Sequence, residues 1–101
     1  KFILQSGKKI NMIYIHDILM RKGLGNKAKQ IQMIQDSIGN LRILLLSKKP
    51  LDSVYEDDIR LALIQLFEGE KVNVEFECGD QIYQGSGHKP HLFIPLPTRP
   101  N

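Results

Sequence analysis

The sequence predicts an α+β fold, a small and mostly antiparallel sheet with two to three helices packed on it. Three observations support this class: a near-continuous apolar run, a helical apolar stripe after it, and an alternating segment after the stripe. The stripe and the alternating segment both lie within residues 55–84, and each has one apolar face to bury. Packing the helix on the β-hairpin that follows it is the simplest way to bury both faces.

The first forty residues contain a predicted hairpin and a predicted helix. Phe2–Gln5 and Ile10–Ile15 are interpreted as two strands, joined by a turn in which Gly7 supplies the flexible position. Lys27–Ile38 has apolar residues at spacings of three and four, followed by Gly39. This pattern predicts an amphipathic helix that ends at the glycine.

The middle of the chain supplies the central strand and the principal helix. Leu41–Ser47 predicts a strand covered on both faces, although a buried helical turn has the same pattern. Ser53 and Glu56 form a capping-box pattern at the start of the next helix, and Gly69 is placed to end it. The apolar stripe of this helix consists of Ile59, Ala62, Leu63, Leu66 and Phe67.

After Gly69 the pattern changes to that of strands. Apolar and polar residues alternate over 72–77, turn residues follow, and Gln81–Tyr83 is the predicted second strand of a hairpin. His91–Ile94 is a candidate edge strand, and residues 95–101 are expected to form an extended, proline-rich tail. The residues expected to hold this region together are Ile59, Leu63, Leu66, Phe67, Gly69, Val74 and Gly79.

Composition limits the class of protein. The 101 residues suit a single compact unit, and no apolar run approaches the ~18 residues that a membrane span needs. The lone Cys78 excludes an internal disulfide and fits a reducing compartment. Residues 1–50 carry ten Lys and Arg against two Asp, whereas residues 51–101 carry four against nine acidic residues. The basic half is therefore a candidate surface for nucleic acid or an acidic partner.

The sequence patterns that could indicate a catalytic or metal site are incomplete. Cys78, His88 and His91 offer three zinc ligands, but a fourth ligand and a standard finger spacing are missing. The glycine pairs at 23/25 and 85/87 lack the further residues of a phosphate-binding loop. No nucleophile–base pair is recognisable. We therefore expect no metal, no cofactor and no catalysis by this chain alone.

A set of short motifs resembles the C-terminal region of orthomyxovirus (influenza-type) polymerase basic protein 2. The match consists of a strand beginning at Leu41, a helix ending at Leu66, and the segments Gly69–Lys71, Asn73–Val74 and Gly79–Asp80. Upstream, residues 3–14 resemble the last hairpin of the preceding host-adaptation domain in that family. The resemblance covers about residues 1–84.

The resemblance implies a non-catalytic module of a viral RNA-dependent RNA polymerase subunit that acts in transcription and replication in the host nucleus and is carried in the virion. It implies other polymerase subunits, viral RNA and a host acidic nuclear phosphoprotein as partners, with importin-α as a further candidate and no membrane. Residues 1–38 would end the preceding basic lobe, 39–94 would form a small C-terminal lobe, and 95–101 the tail. The family's basic localisation signal is not matched, because only Lys89 and Arg99 are basic after the predicted strand Gln81–Tyr83.

The same resemblance directs attention to the basic residues of the first half. Those expected to contact RNA or an acidic partner are Lys8, Lys9, Arg21, Lys22, Lys27 and Lys29. Two alternatives remain open at this point. One is a stand-alone nucleic-acid-binding regulatory domain from a mobile element, with the predicted helix Lys27–Ile38 as its recognition element. The other is a small nuclease or toxin domain that uses His16 and Asp17.

Overall fold

The computed structural model describes residues 1–79 and 93–94. It contains two α-helices, one 3-10 turn at Leu24–Asn26, and six strands. The predicted α+β class, with helices packed on a small sheet, is confirmed. In chain order the elements are β1 (Phe2–Ile3), β2 (Lys9–Ile10), α1 (Met12–Arg21), β3 (Gln30–Ser37), β4 (Asn40–Leu46), α2 (Ser53–Leu66), β5 (Asn73–Gly79) and β6 (Phe93–Ile94).

The strands form two sheets. β1 and β2 make a short antiparallel pair, and the other four strands are ordered β5-β4-β3-β6. β3 and β4 are an antiparallel hairpin, whereas β5 joins β4 in parallel and β6 joins β3 in parallel. Helix α2 is the crossover between β4 and β5, as a parallel pair requires. The carboxyl ends of β4 and β5 consequently lie side by side, with Leu46 opposite Gly79.

The core lies on one face of the larger sheet. Alternate residues of β4 are buried while the residues between them are half-buried, so its two faces differ. Helix α2 contributes Ile59, Leu63 and Phe67 to the core, and the ring of Phe67 stacks on Phe2 with centroids 5.6 Å apart. Leu66 is half-buried at the edge of the cluster. The remaining buried apolar residues are Leu4, Ile10, Met12, Ile15, Leu19, Leu24, Ile31, Met33, Leu41, Ile43, Leu45 and Val74.

The predicted first hairpin is confirmed in a shorter form, because Phe2–Ile3 pairs antiparallel with Lys9–Ile10. The rest of the predicted strand Ile10–Ile15 is wrong, because helix α1 begins at Met12. The Asn11 side chain accepts a hydrogen bond from the Ile13 amide and caps the helix. Met12, Ile15 and Leu19 are the buried residues of α1, at spacings of three and four. In a strand, the apolar residues of this segment would fall on both faces. The helical period instead brings the buried ones to one face.

The predicted helix Lys27–Ile38 is also wrong, because its second part is strand β3. Ile31 lies opposite Leu45 and Met33 opposite Ile43, so long-range pairing with β4 decides the conformation. The glycine that was expected to stop a helix is instead in the turn of the hairpin. The mobile-element interpretation thereby loses its proposed recognition helix.

Helix α2 was predicted, and the structure confirms it with a different cap at its start. The Asp52 side chain, rather than that of Ser53, accepts from the Val54 amide. At the other end the Gly69 amide donates to the Ile64 carbonyl at 3.2 Å, the bond expected of a Schellman motif. Gly69 has a φ of 81°, and the preceding Glu68 is also left-handed, at 55°.

The outcome for the last part of the chain is mixed. The alternating segment after Gly69 is strand β5, as predicted, but the structure shows it paired with β4. Phe93–Ile94 pairs with β3, which confirms the last two residues of the predicted edge strand. The predicted strand Gln81–Tyr83, His88, His91 and the tail 95–101 lie outside the described residues. Neither described helix has the length and apolar character needed to cross a bilayer.

The hairpin turn at Gly39 provides a first prediction. Gly39 has a φ of 73°, and an added Cβ would lie 2.7 Å from the Gln5 Nε2 atom and 3.0 Å from its Cγ atom. Gly39→Ala should lower the free energy of unfolding by about 1–2 kcal/mol, through left-handed strain and displacement of Gln5. Urea denaturation measures the loss.

The matched control is Gly7→Ala. Gly7 also has a positive φ, 90°, but no atom lies within 4 Å of its added Cβ. This variant carries the conformational strain without the close contact, so it should cost less than Gly39→Ala. Equal losses for the two variants would contradict a role for the Gln5 contact.

Candidate anion-binding site

A crevice lies at the edge of the sheet where β4 and β5 both end. Their parallel pairing brings Leu46 and Gly79 to the same edge, and the segment before β3 closes the other side. Crevices at the carboxyl ends of adjacent parallel strands are frequent binding sites. The cavity here has a volume of about 750 Å³, and it is lined by Gly25, Asn26, Lys27, Ala28, Lys29, Leu46, Ser47, Lys48 and Gly79.

A second cavity adjoins the first beneath the connector from β4 to α2. Its volume is about 480 Å³, and four of its lining residues also line the first cavity. We call the two cavities together the lysine crevice. The second cavity is lined by Asn26, Lys27, Ser47, Lys48, Lys49, Pro50, Leu51, Asp52 and Tyr55.

Positive charge dominates the lysine crevice. Its four lysines are Lys27, Lys29, Lys48 and Lys49, and within the part of the chain that the structure describes none forms an ion pair. Among the described lining residues Asp52 is the one acidic residue, and it uses a carboxylate oxygen to cap α2. Uncompensated charge of one sign in a concave site attracts ligands of the opposite sign.

Tyr55 supports one of these lysines. The Lys27 ammonium lies 5.6 Å from the centroid of the Tyr55 ring, within the range of a cation–π contact. The Tyr55 hydroxyl donates to the Lys22 carbonyl, and the Lys22 ammonium lies 3.1 Å from an Asp58 carboxylate oxygen. Burial and the Asp58 charge raise the pKa of Tyr55, and the Lys22 charge opposes them. The hydroxyl therefore stays protonated at physiological pH. Its hydrogen bond to the Lys22 carbonyl holds the ring in place.

Backbone hydrogen bonds hold the floor of the lysine crevice in place. The Lys29 amide donates to the Leu46 carbonyl at 2.9 Å, and the Ser47 amide donates to the Gly79 carbonyl at 3.1 Å. The Ser47 hydroxyl donates to the Lys49 carbonyl at 2.9 Å and so shapes the connector. The lysine side chains are exposed, but the segments that carry them are fixed relative to one another.

The structure separates the six basic residues that the sequence singled out. Lys27 and Lys29 lie in the lysine crevice, whereas Lys8 and Lys9 lie on the first hairpin. Three of the six are paired with carboxylates, at 2.6 Å for Lys8–Glu68, 2.8 Å for Arg21–Asp17 and 3.1 Å for Lys22–Asp58.

Sequence reasoning missed Lys48 and Lys49. The signal that could have identified them is their position directly after an apolar strand and before a proline. Side chains at the carboxyl end of a strand often reach a binding crevice.

Arg42 lies between the buried residues of β4, on the face of the larger sheet opposite the core, and pairs with two carboxylates. Its Nη1 atom lies 3.0 Å from an Asp36 oxygen and its Nη2 atom 2.7 Å from a Glu77 oxygen. Hydrogen bonds to Glu77 and then to Asp36 raise the pKa of Arg42 above its ordinary value, against the effect of burial. Arg42 on β4 thus forms ion pairs with Asp36 on β3 and Glu77 on β5. This cluster is a structural contact between the three strands.

The other candidate sites gain no support. No group of three metal-ligating side chains occurs within residues 1–79 and 93–94, and Cys78 is exposed. Asp17, which the nuclease interpretation would use, forms an ion pair with Arg21 on the same helix.

The fold and the crevice define a small α+β domain with a βαβ unit and a basic crevice at the carboxyl ends of a parallel strand pair. A family model for the CapK C-terminal domain matches residues 2–94. The chain therefore belongs to the CapK C-terminal domain family. No curated protein and no solved structure matches the chain.

Family membership overturns the viral resemblance. The chain is not an orthomyxovirus polymerase module, and the mobile-element alternative is also unsupported. The motif Gly69–Lys71 that suggested the virus follows a Schellman helix end, a turn that recurs across unrelated proteins. The expected polymerase, RNA and host-factor partners, and the nuclear and virion location, were drawn from that resemblance and lose its support. No contact in the structure tests them.

Proposed function

We propose that this chain is a ligand-binding accessory domain of a CapK-family protein, and that it holds a phosphate-bearing anion in the lysine crevice. The observation that carries the proposal is the convergence of four lysines without carboxylate partners among the described residues. The crevice lies where the fold places ligands, at the carboxyl ends of a parallel strand pair.

Phosphate is the anion that suits this arrangement best. An ammonium group is a compact point charge, and several of them on flexible stems can surround a phosphate, which has strong acceptor oxygens. The apolar side chains of Ala28, Leu46 and Leu51 line the same crevice. They give an organic ligand a surface on which to bury its uncharged part.

The accessory role follows from the residue types in the crevice. The titratable side chains in the described part of its lining are lysines, the capping Asp52 and the hydrogen-bonded Tyr55, and these form no nucleophile–base pair. We therefore assign binding to this domain and catalysis to another part of a longer CapK-family protein. The family description, which names a C-terminal domain, supports this division.

The test is a titration of the chain with inorganic phosphate and inorganic pyrophosphate, followed by amide NMR shifts and calorimetry. Shifts are expected at 25–29 and 46–49, and binding should weaken as salt is added. The double variant Lys27→Ala/Lys48→Ala should raise the Kd by about tenfold or more, because both lysines line both cavities.

The matched control is Lys9→Ala/Lys71→Ala, which removes the same charge. Both lysines are exposed, lie outside the crevice and form no ion pair among the described residues. It should leave the Kd within about twofold, because exposed charges at a distance are screened. Equal effects of the two double variants, or absence of binding at millimolar probe, would refute the proposed site.

A further inference from the structure

The lysine crevice is divided into two cavities of similar character. Lys29 lines only the first cavity and Lys49 only the second, whereas Lys27 and Lys48 line both. Each cavity is thus lined by three lysines, two of which it shares with its neighbour. The shared pair marks the junction, and the outer lysines mark the two ends.

We propose that the ligand is a small molecule with two linked phosphate groups, one in each cavity, with Lys27 and Lys48 contacting both. This inference rests on the proposed function and goes beyond it by specifying the ligand class. Lys29 then binds the outer side of one phosphate and Lys49 the outer side of the other.

The charges match this ligand. A phosphate monoester carries about 1.5–2 negative charges near pH 7, so one phosphate leaves about half of the charge of four lysines unbalanced, and a second linked phosphate offsets part of the remainder. A single phosphate would leave one outer lysine without a partner. The repulsion between the two linked phosphates is greatest at the junction between the cavities. Two cations at this junction offset that repulsion.

The size and lining of the crevice favour a small molecule over a nucleic-acid strand. Cavities of about 750 and 480 Å³ fall in the range of small-molecule sites. Single strands bind through successive bases stacked on aromatic side chains. Tyr55 is the one aromatic residue in the described lining, and Lys27 already occupies a position over its ring.

Calorimetry compares inorganic orthophosphate with inorganic pyrophosphate on the 101-residue chain, at matched pH and ionic strength. Pyrophosphate should bind about tenfold tighter or more, because both cavities are then occupied. Lys29→Ala and Lys49→Ala should each reduce that preference, and together they should abolish it while retaining orthophosphate binding. Both lysines are exposed, and unchanged melting temperatures would verify that the variants fold.

The outcomes separate this inference from the proposed function. Equal, lysine-dependent affinities for the two probes would overturn the two-phosphate ligand and leave the anion site standing. Absence of binding by either probe would overturn both. A twelve-nucleotide single strand that binds more tightly than pyrophosphate, and whose binding is lost in Lys27→Ala/Lys48→Ala, would overturn the small-molecule assignment alone.

Discussion

Replacing Phe67 with alanine is expected to lower the free energy of unfolding by about 3–5 kcal/mol. Phe67 is 1% exposed, and it lies at the end of α2 where its ring stacks on Phe2 at an interplanar angle of 26°. Truncation removes buried apolar surface and leaves a cavity between α2 and the first hairpin. Two elements that are far apart in sequence therefore lose a shared contact.

Urea denaturation measures this loss, and Leu61→Ala is the matched control. Leu61 lies on the same helix but is 64% exposed, so its truncation should change stability by less than about 0.5 kcal/mol. A double-mutant cycle with Phe2→Ala should give a coupling of about 0.5–1.5 kcal/mol, as expected of a stacked pair. A Phe67→Ala loss no larger than that of Leu61→Ala would show that α2 does not pack in this way.

Replacing Gln35 with leucine is expected to cost about 2–4 kcal/mol, although the new side chain is apolar and of similar size. Gln35 is 1% exposed. Its side-chain oxygen accepts from the Ile3 amide at 3.0 Å, and its side-chain nitrogen donates to the Ile3 carbonyl at 2.8 Å and the Ser37 carbonyl at 3.1 Å. Leucine would leave these partly buried backbone groups without that partner.

Thermal and urea unfolding of Gln35→Leu should be compared with those of Gln30→Leu. Gln30 begins the same strand but is exposed, so its replacement should change stability by less than about 0.5 kcal/mol. Amide exchange at Ile3 should accelerate in Gln35→Leu, since the bond to its N–H is lost. Equal stabilities of the two variants would show that the Gln35 amide is not needed to hold β1 against the sheet.

Helix α2 and strand β4 could be predicted because their patterns are local and the length of each apolar segment favours one conformation. Three apolar residues of the α2 stripe are buried at the predicted spacing, and the glycine at its end takes the predicted left-handed conformation. Strand β4 is a run of apolar residues too short for a helix of ordinary length and bounded by turn residues.

The segments that form α1 and β3 could not be assigned correctly, because their patterns were ambiguous without knowledge of their neighbours. Helix α1 leaves Ile13 63% exposed and Tyr14 59% exposed, so its apolar residues extend beyond the buried stripe. Strand β3 buries Gln32 and Gln35, polar side chains that an amphipathic helix would place in solvent. Partner strands and hydrogen bonds from distant residues decide both cases.

The candidate site was only partly visible in the sequence. Lys27 and Lys29 were singled out, but through a resemblance that proved wrong, and Lys48 and Lys49 were missed. These pairs become neighbours because β3 and β4 form a hairpin in which Gln30 lies opposite Leu46. The lysine crevice therefore depends on the register between β3 and β4, which cannot be predicted from residue composition.

The parallel pairing of β4 with β5 also bears on the order in which the chain folds. Contacts in the β3–β4 hairpin begin with Ser37 opposite Asn40, whereas Asn40 and Asn73, which face each other across β4 and β5, are 33 positions apart. Closing the longer loop costs more conformational entropy, so the hairpin is expected to form first. The lysine crevice, which needs both pairings, would then be among the last parts of the molecule to reach its native geometry.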